Sequence, residues 1–328
     1  YNSSFYRLVS MRILHGVPHA GDGPTALTIG NFDGVHLGHQ AMLAKLREAA
    51  SARALPACVM TFEPHPREFF APDQAPARLT SMREKLELLA TQGVERVYVC
   101  RFNYAFAQTT SEEFVQRILC DGLRVRWLLV GDDFRFGARR AGDVVLLKQS
   151  AARYGYEIEA MSSVMLNGER ISSTAVRQAL ASGQLARAAR LLGRPYSISG
   201  RVVRGDGLGR KLGFPTANLQ MRHNRPPLNG IFVIEVTGAG AGPLRGVASL
   251  GVRPTVKARG EPVLEAHLLD FDEDLYGKHL RIAFLHKLRD EEKYRDLETL
   301  TRQIALDVEN ARDFFRRRNV EGARTARS

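Results

Sequence analysis

A buried strand that runs directly into a helix is predicted by residues 26–39, which read ALTIGNFDGVHLGH. The stretch begins as an apolar run rich in β-forming side chains and reaches a turn at Gly30 and Asn31. From residue 38 to about residue 50 the apolar residues take helical spacing. A strand, a glycine turn and a helix in this order are typical of an α/β sheet, whose ligands bind beyond the carboxyl ends of its strands.

The rest of the first half alternates in the same way. We expect further strands at residues 56–62, 94–102 and 125–130, and helices at 80–92, 111–120 and 143–154. Ser111 is placed to cap the helix that it opens. Because strands separated by helices pair in parallel through right-handed crossovers, the first half is predicted to be a doubly wound parallel α/β sheet.

The second half changes pattern. Strand-like runs follow one another with turns and no helix between them, at residues 196–203, 230–236, 244–250, 263–270 and 278–285. This spacing predicts a small antiparallel β-barrel. A final helix over about 290–317 carries one apolar face: Leu297, Leu300, Ile304, Val308, Ala311 and Phe315.

The predicted domains are therefore an α/β domain over residues 11–187, a barrel with its terminal helix over 188–318, and a basic tail over 319–328. A chain of 328 residues is long enough for two such domains. Met11 is a candidate natural start, which would make residues 1–10 an extension.

The composition is that of an ordinary globular protein, with 44% hydrophobic and 25% charged residues. No apolar run approaches the ~20 residues that span a bilayer, so we expect no membrane partner. The formal charge is +12, of which residues 310–328 supply +4. Because the remaining excess is spread thinly, we interpret it as favouring solubility and phosphorylated small ligands over nucleic acid.

The three cysteines, Cys58, Cys100 and Cys120, lie far apart and form no CxxC pair. This pattern favours reduced, buried thiols over disulfides or a metal centre. Residues 1–10 lack the apolar core of a secretory signal. We therefore expect a cytoplasmic protein.

A first phosphate site is predicted where the opening strand meets its helix. His36 and His39 are three residues apart, which points both imidazoles the same way. Gly34 permits a tight turn and Gly38 a close approach, and the helix N-terminus adds free N–H groups. Together they form a pocket in which imidazoles stabilise charge at an attacked α-phosphate. Two ordinary surface histidines remain an alternative, and a metal site lacks a third ligand.

Two later segments fit the same pocket. Residues 130–137 (VGDDFRFG) end a predicted strand, where a ligand of the sheet would lie. Residues 171–177 (ISSTAVR) open a helix, and Arg177 lies where it can grip phosphate oxygens with two N–H groups. Taken alone, the second segment would be interpreted as an ordinary capped helix.

In this order, GNFDGVHLGH, GDDFRFG and ISSTAVR resemble the nucleotidyltransferase half of the bacterial bifunctional riboflavin kinase/FAD synthetases, over about residues 12–190. The resemblance implies transfer of AMP from ATP to FMN, giving FAD and pyrophosphate. It implies that His36 and His39 stabilise the α-phosphate transition state, and that Asp133 lies near the flavin or the adenosine. The remaining implied substrate contacts are Gly30, Phe32, Asp33, Gly34, Ser172, Thr174 and Arg177, with residues 63–66 (EPHP) near the flavin.

A second phosphate site is predicted in residues 204–218, which read RGDGLGRKLGFPTAN. A loop so rich in glycine and basic residues can wrap phosphates with backbone N–H groups, although a flexible hairpin tip stays open as an alternative. Thr216 and Asn218 offer oxygens to a hard cation such as Mg²⁺. Glu265, on an alternating strand, is a candidate base for a hydroxyl nucleophile, unless that strand face is simply solvated.

The segments GFPTAN, NGIF, the strand of Glu265, LYGKHL and KLRDEEKY resemble the riboflavin kinase half of the same enzymes, over about residues 196–317. The resemblance implies that Thr216 and Asn218 hold Mg²⁺ and ATP. It implies that Glu265 deprotonates the ribityl 5′-hydroxyl, which attacks the γ-phosphate to give FMN and ADP, and that Arg289 lies by the flavin. The other implied nucleotide contacts are Gly207, Gly209, Lys211, Gly213 and Pro215.

We therefore expect a bifunctional flavin-cofactor transferase that uses ATP, riboflavin, FMN and Mg²⁺. One rival is a monofunctional adenylyltransferase for another phosphate substrate, such as phosphopantetheine or nicotinate mononucleotide, in which the PTAN segment and Glu265 would have no role. The other rival is a basic RNA-binding protein, for which the barrel lacks aromatic residues interleaved with basic strands.

Overall fold

The computed structural model describes residues 11–205, 207–222, 225–253 and 261–325. It divides into two compact units. The first takes the described residues up to Pro76 together with Met82–Ser173, and the second takes Ala77–Ser81 and the described residues from Thr174 onward. The domain boundary at residue 187 stays a prediction, since this division reflects compactness alone.

The first unit is built on a parallel sheet of six strands in the order β1-β4-β3-β2-β5-β6. The strands are β1 (Arg12–His15), β2 (Thr25–Ile29), β3 (Ala57–Glu63), β4 (Arg96–Arg101), β5 (Val125–Gly131) and β6 (Glu157–Met161). All five neighbouring pairs are parallel, for example Thr28 beside Val59 and Leu129. The predicted doubly wound sheet is confirmed, and the polar edge strands β1 and β6 are additions to it.

Helices cover both faces of this sheet. They are α1 (Leu37–Ala52), α2 (Pro66–Phe70), α3 (Met82–Thr91), α4 (Tyr104–Ala107), α5 (Ser111–Glu113), a π-helix (Phe114–Gly122) and α6 (Val144–Tyr154). Alternate residues of β2 enter two different apolar clusters, Leu27 on one face and Ala26 on the other. Cys58 and Cys100 are buried, and their burial raises the pKa of each thiol to about 12.

The helix predicted from residue 111 begins as expected, but Ser111 does not cap it. Thr110 is the cap: its hydroxyl accepts a hydrogen bond from the backbone N–H of Glu113 at 3.1 Å, and Glu113 accepts one in return from the backbone N–H of Thr110 at 2.9 Å. The capping prediction was therefore wrong by one residue, because the cap must keep an extended backbone and Ser111 is already helical.

The second unit contains a closed antiparallel barrel of six strands in the order β10-β13-β12-β11-β14-β9. These are β9 (Tyr196–Val203), β10 (Ala217–Met221), β11 (Gly230–Thr237), β12 (Leu244–Arg253), β13 (Glu261–Leu268) and β14 (His279–Arg289). A separate hairpin in the first unit pairs β7 (Met165–Leu166) with β8 (Glu169–Arg170). The predicted barrel is confirmed, and β10 is the strand that the sequence patterns missed.

Helices complete the second unit: α7 (Ser173–Ala181), α8 (Leu185–Leu192), α9 (Leu208–Lys211) and α10 (Leu297–Thr325). On α10 the predicted apolar face is buried at Ala311 and Phe315, whereas Leu297 is 57% exposed. The helix continues past its predicted end at residue 317 to Thr325, and residues 326–328 of the predicted tail lie outside the described part. None of the described helices has the length and apolar content required to cross a bilayer.

Candidate active sites

The turn between β2 and α1 has an unusual backbone. Phe32, Gly34 and Val35 all have positive φ angles, of 48°, 81° and 38°. Such angles cost free energy for residues other than glycine and are found mainly where function requires them. A Cβ on Gly30 would lie 3.2 Å from the ring of Phe32, so Gly30 leaves room for that ring. Asp33 is buried, and its carbonyl accepts a hydrogen bond from the Ser173 hydroxyl at 3.0 Å.

This turn delivers the two histidines to the start of α1. His36 is the N-cap residue, and its Nδ1 accepts a hydrogen bond from the backbone N–H of His39 at 3.3 Å. The two imidazoles stack, with ring centroids 3.7 Å apart and planes inclined by 15°. The Phe32 ring lies 5.0 Å from His39 on its other side. The structure therefore joins the predicted histidines in one rigid unit.

Two polar atoms near this turn are buried without a hydrogen-bond partner, Nδ1 of His39 and Oδ1 of Asn31. Such atoms cost free energy in the absence of a ligand, which is typical of a binding site. Burial, followed by the nearby charges of His36 and Lys85, holds the pKa of His39 well below its ordinary value of 6.5. His39 is therefore neutral near pH 7.

A cavity of about 190 Å³ opens beside the histidines. It brings His36 and His39 together with Asp133, which follows β5, and Ser172, which precedes α7. Arg170 forms an ion pair with Asp133 at 2.7 Å at the same cavity. Sequence reasoning missed Arg170, although it directly precedes the ISST segment and so carried a signal.

Two predicted phosphate ligands belong to the second compact unit. Thr174 is exposed in the first turn of α7, and Arg177, one turn further along, donates from Nε to the carbonyl of Ala77 at 2.6 Å. Their contact with substrate phosphates stays a prediction.

An aromatic cluster was also missed by sequence reasoning. Phe102 lies 5.9 Å from Phe62 and 5.6 Å from Phe106, ring centroid to ring centroid. The cluster continues in one direction to Phe69 and Phe70 and in the other to Phe114, Phe136 and Phe134. It lies at the carboxyl ends of β3 and β4, next to the EPHP segment, and Phe70 is 67% exposed. Aromatic residues gathered at strand ends were the available signal.

The barrel carries the second group of predicted residues. Glu265 on β13 is flanked in register by Asn218 on β10 and Ser249 on β12. The Thr216 hydroxyl lies 3.5 Å from Oε2 of Glu265, and Ser249 donates to Glu291 at 2.8 Å. As predicted, Val263, Glu265 and His267 share one side of β13, since the residues between them are buried.

The glycine-rich loop folds closely around Thr216 and Asn218. A Cβ on Gly209 would lie 2.4 Å from the carbonyl oxygen of Phe214, and one on Gly205 would lie 2.4 Å from the amide of Asn218. Gly207 and Gly213 have positive φ angles of 69° and 87° at the two ends of α9, which contains the predicted Lys211. The backbone conformation therefore requires glycine at these positions. This favours a loop of defined conformation over a flexible hairpin tip.

Beside this loop lies a cavity of about 480 Å³. Arg210, Pro215 and Thr216 line one side of it, and residues 271–276 line the other. The guanidinium of Arg204 lies 5.6 Å from the ring of Tyr276, which links the two rims. The cavity and the Thr216–Glu265 pair thus share one end of the barrel.

Arg289 has a partner within the unit. Its Nη2 donates to Oδ2 of Asp307 at 2.7 Å and its Nε to Oδ1 at 3.0 Å, and Asp307 on α10 is buried. This ion pair ties the end of β14 to α10. The predicted place of Arg289 beside the flavin stays a prediction.

The donor atoms of the barrel suit Mg²⁺. Thr216 and Asn218 offer hydroxyl and amide oxygens, hard ligands of the kind that this ion prefers, and Asn218 lies in register beside Glu265. In the described ranges, no three His, Cys, Asp or Glu residues cluster so as to hold a metal on their own.

The fold and its two sites define a two-domain nucleotide-dependent transferase, with an α/β phosphate site in one unit and a barrel phosphate site in the other. Two family models match: FAD synthetase over residues 19–175 and riboflavin kinase over residues 192–315. The chain belongs to the bifunctional riboflavin kinase/FMN adenylyltransferase family. It phosphorylates riboflavin to FMN with ATP and then adenylylates FMN to FAD, as the sequence motifs predicted.

Similar proteins extend over nearly the whole chain. The bifunctional riboflavin kinase/FMN adenylyltransferase of Escherichia coli K12 is 50% identical over 93% of this chain and 98% of the relative. The enzyme of the same name from Pseudomonas fluorescens is 48% identical over 92% of this chain and 96% of the relative. A crystal structure titled macrolide-efflux protein, from Streptococcus pneumoniae, superimposes with a TM-score of 0.79 at 29% identity, covering 92% of this chain and 99% of that one. The riboflavin kinase match rules out the monofunctional rival.

Proposed function

We propose that FMN is adenylylated at the cavity of His36 and His39, within residues 11–187, and that riboflavin is phosphorylated beside Glu265, within residues 188–318. The observation that carries this proposal is that each compact unit has its own cavity at a group of predicted phosphate ligands. Two cavities permit ATP to be cut at two different bonds, since each can align a different phosphorus atom with its nucleophile.

Adenylylation requires no base, because the nucleophile is already a phosphate oxygen of FMN. The accepted hydrogen bond at Nδ1 of His36 leaves its proton on Nε2, where it can donate to an oxygen of the α-phosphate. His39, neutral and stacked on His36, adds a second donor as charge develops. Ser172, Thr174 and Arg177 hold the outgoing pyrophosphate, and Arg170 exchanges its contact with Asp133 for a phosphate oxygen.

The aromatic cluster receives the flavin ring. Isoalloxazine is flat and apolar on its faces, and rings at 5–7 Å spacing provide such a surface. Phe70, which is 67% exposed, then becomes covered by substrate. Asp133 lines the cavity of the histidines and directly precedes Phe134 of the aromatic cluster, and we propose that it contacts the flavin or the adenosine.

Phosphorylation of riboflavin needs a base. Glu265 takes the proton of the ribityl 5′-hydroxyl, and the resulting oxygen attacks the γ-phosphate to form FMN and ADP. Thr216 and Asn218 would hold Mg²⁺, which supplies charge neutralisation to the ATP phosphates when bound. The glycine-rich loop, with Gly207, Gly209, Lys211, Gly213 and Pro215, encloses those phosphates. Arg289 borders the flavin from the end of β14.

The partners that we propose are small molecules only: ATP, riboflavin and FMN, in the cytoplasm. The excess positive charge, which is spread along the sequence without a long Lys/Arg block, attracts anionic substrates.

The test is a pair of variants assayed for both reactions. His39→Ala should lose FAD formation and keep FMN formation, and Glu265→Ala should do the reverse when FMN is supplied. Each loss should be on the order of 10²–10⁴-fold, the usual effect of removing a charge stabiliser or a base. Each variant keeps the activity that the other loses, so the retained activity is the control for a general loss of function. A folded variant that lost both activities would contradict the assignment.

A further inference from the structure

The loop that carries Thr216 is not anchored by the barrel ladder. β10 pairs with β13 from Ala217, which lies opposite Ala266. Pro215 lies two residues earlier and has no N–H, so it cannot extend the ladder. Within the loop the backbone N–H of Phe214 donates to the carbonyl of Gly209 at 2.8 Å, but the ladder does not fix the carbonyl of Pro215 relative to Glu265.

His267 on β13 provides an attachment for this carbonyl. Its Nδ1 lies 2.9 Å from the carbonyl oxygen of Pro215. Because a carbonyl oxygen only accepts, Nδ1 must carry the proton and donate it. The ring of His267 also meets the ring of Phe214 edge to face, with centroids 5.6 Å apart and an angle of 82°. One side chain thus holds both residues that precede Thr216.

The same strand side also carries the proposed base. Glu265 and His267 are both half-buried and point to one side of β13, whereas Leu264, Ala266 and Leu268 are buried. The Thr216 hydroxyl, one residue after the held carbonyl, lies 3.5 Å from Oε2 of Glu265. The distance between the loop and the base is therefore set within one short stretch of β13.

We propose that His267 is a positioning residue of the kinase reaction, which holds the carbonyl of Pro215 and so aligns Thr216 with Glu265 and the nucleotide. The proposal rests on the function assigned above to Thr216 and Glu265. It concerns the Nδ1–H donor specifically, and not the bulk of the imidazole.

Three replacements of His267 separate the donor from the ring. His267→Asn places an amide N–H near the position of Nδ1 and should keep kinase KM for ATP within about 3-fold of the original. His267→Gln places its amide N–H near the position of Nε2 instead, and His267→Phe keeps a ring beside Phe214 without a donor. Both should raise KM for ATP on the order of 10-fold with a smaller change in kcat, the effect of losing one ground-state contact.

All three variants are assayed as full chains, with formation of FAD from supplied FMN as the control for the first unit and the midpoint of thermal unfolding, followed by circular dichroism, as the measure of folding of the barrel. Equal KM values in the original and in His267→Phe would overturn the proposal, and so would equal losses in His267→Asn and His267→Gln. Thr216→Ala is measured alongside. If Thr216→Ala keeps full kinase activity, the function proposed for the loop is wrong; if it loses activity while all His267 variants keep theirs, only the positioning role is wrong.

Discussion

His39 has an environment that disfavours its charged form. Its Nδ1 is buried without a partner, and burial is the largest cause of its lowered pKa, followed by the electrostatic effects of His36 and Lys85. A bound triphosphate would favour the charged form of His39 instead, because its negative charge stabilises an imidazolium. Binding of ATP at this site should therefore raise the pKa of His39.

From this follows a proton-uptake prediction. Between the lowered pKa of the free protein and the raised pKa of the complex, ATP binding should take up as much as about one proton at His39. The proton uptake should grow as pH falls from 8 towards 6, since His39 of the ATP-free protein stays neutral in that pH range. Calorimetric titration with ATP in buffers of different ionisation enthalpy measures it.

His39→Asn is the matched control, because it keeps an amide donor that does not titrate. We expect it to show less proton uptake than the original while still binding ATP. Equal uptake in the two proteins would show that His39 does not change its protonation on binding.

Helix α5, which runs directly into the π-helix, begins at a capping box. The reciprocal hydrogen bonds of Thr110 and Glu113 satisfy backbone N–H groups that the first helical turn leaves unpaired. The backbone N–H of Thr110 is the main cause that lowers the pKa of Glu113. The contribution of the Glu113 carboxylate to stability is therefore present above the ordinary pKa of glutamate. It is lost as pH falls through the lowered pKa of Glu113.

Replacing this cap should weaken the element that it opens. Thr110→Ala should reduce the free energy of unfolding by about 1 kcal/mol, the usual cost of a lost N-cap. Ser111→Ala, one residue later and already helical, should change it by less than about 0.5 kcal/mol. Urea unfolding of the two variants at pH 7 measures the difference. An equal effect at both positions would mean that the cap contributes nothing specific.

Two elements show why local patterns fail. β10 reads ANLQM, which alternates apolar and polar residues over only five positions, and its residues pair with both β9 and β13 and close the barrel. Its place depends on partners distant in the chain. The prediction of an apolar face that packs on the barrel is likewise wrong at Leu297 of α10, which is exposed. Helical spacing does not specify which part of a helix packs against its neighbour.

At the scale of the whole molecule, two reactions in one chain make FMN both a product and a substrate. The two cavities belong to different compact units, and each is bounded by residues of its own unit. We therefore expect FMN to reach the adenylylation site from solution.

Mixing the two inactive variants tests this expectation. His39→Ala alone should convert riboflavin only to FMN, and Glu265→Ala alone should make neither product. Together, with ATP and Mg²⁺, they should produce FAD, because FMN released by one is used by the other. Chromatography of the flavins follows the products, and the unaltered protein at the same concentration is the reference. A mixture that accumulates FMN without FAD would contradict free exchange.

Local sequence determined a large part of this protein. The apolar strand periods, the helical spacing of α1 and the glycines at residues 34, 207 and 213 follow from backbone sterics and burial, which act over a few residues. These features predicted the sheet, the barrel and the positions of both phosphate sites. The family motifs within them were sufficient for the bifunctional activity.

The tertiary structure decided what those patterns could not express. The stacked histidines with an unpartnered Nδ1, the Arg170–Asp133 pair and the aromatic cluster depend on which strand ends become neighbours. The buried Arg289–Asp307 pair and the hold of His267 on Pro215 join residues 18 and 52 apart in sequence. Such contacts arise from close packing of the whole chain, and the periodicity of the sequence does not specify contacts between residues that far apart.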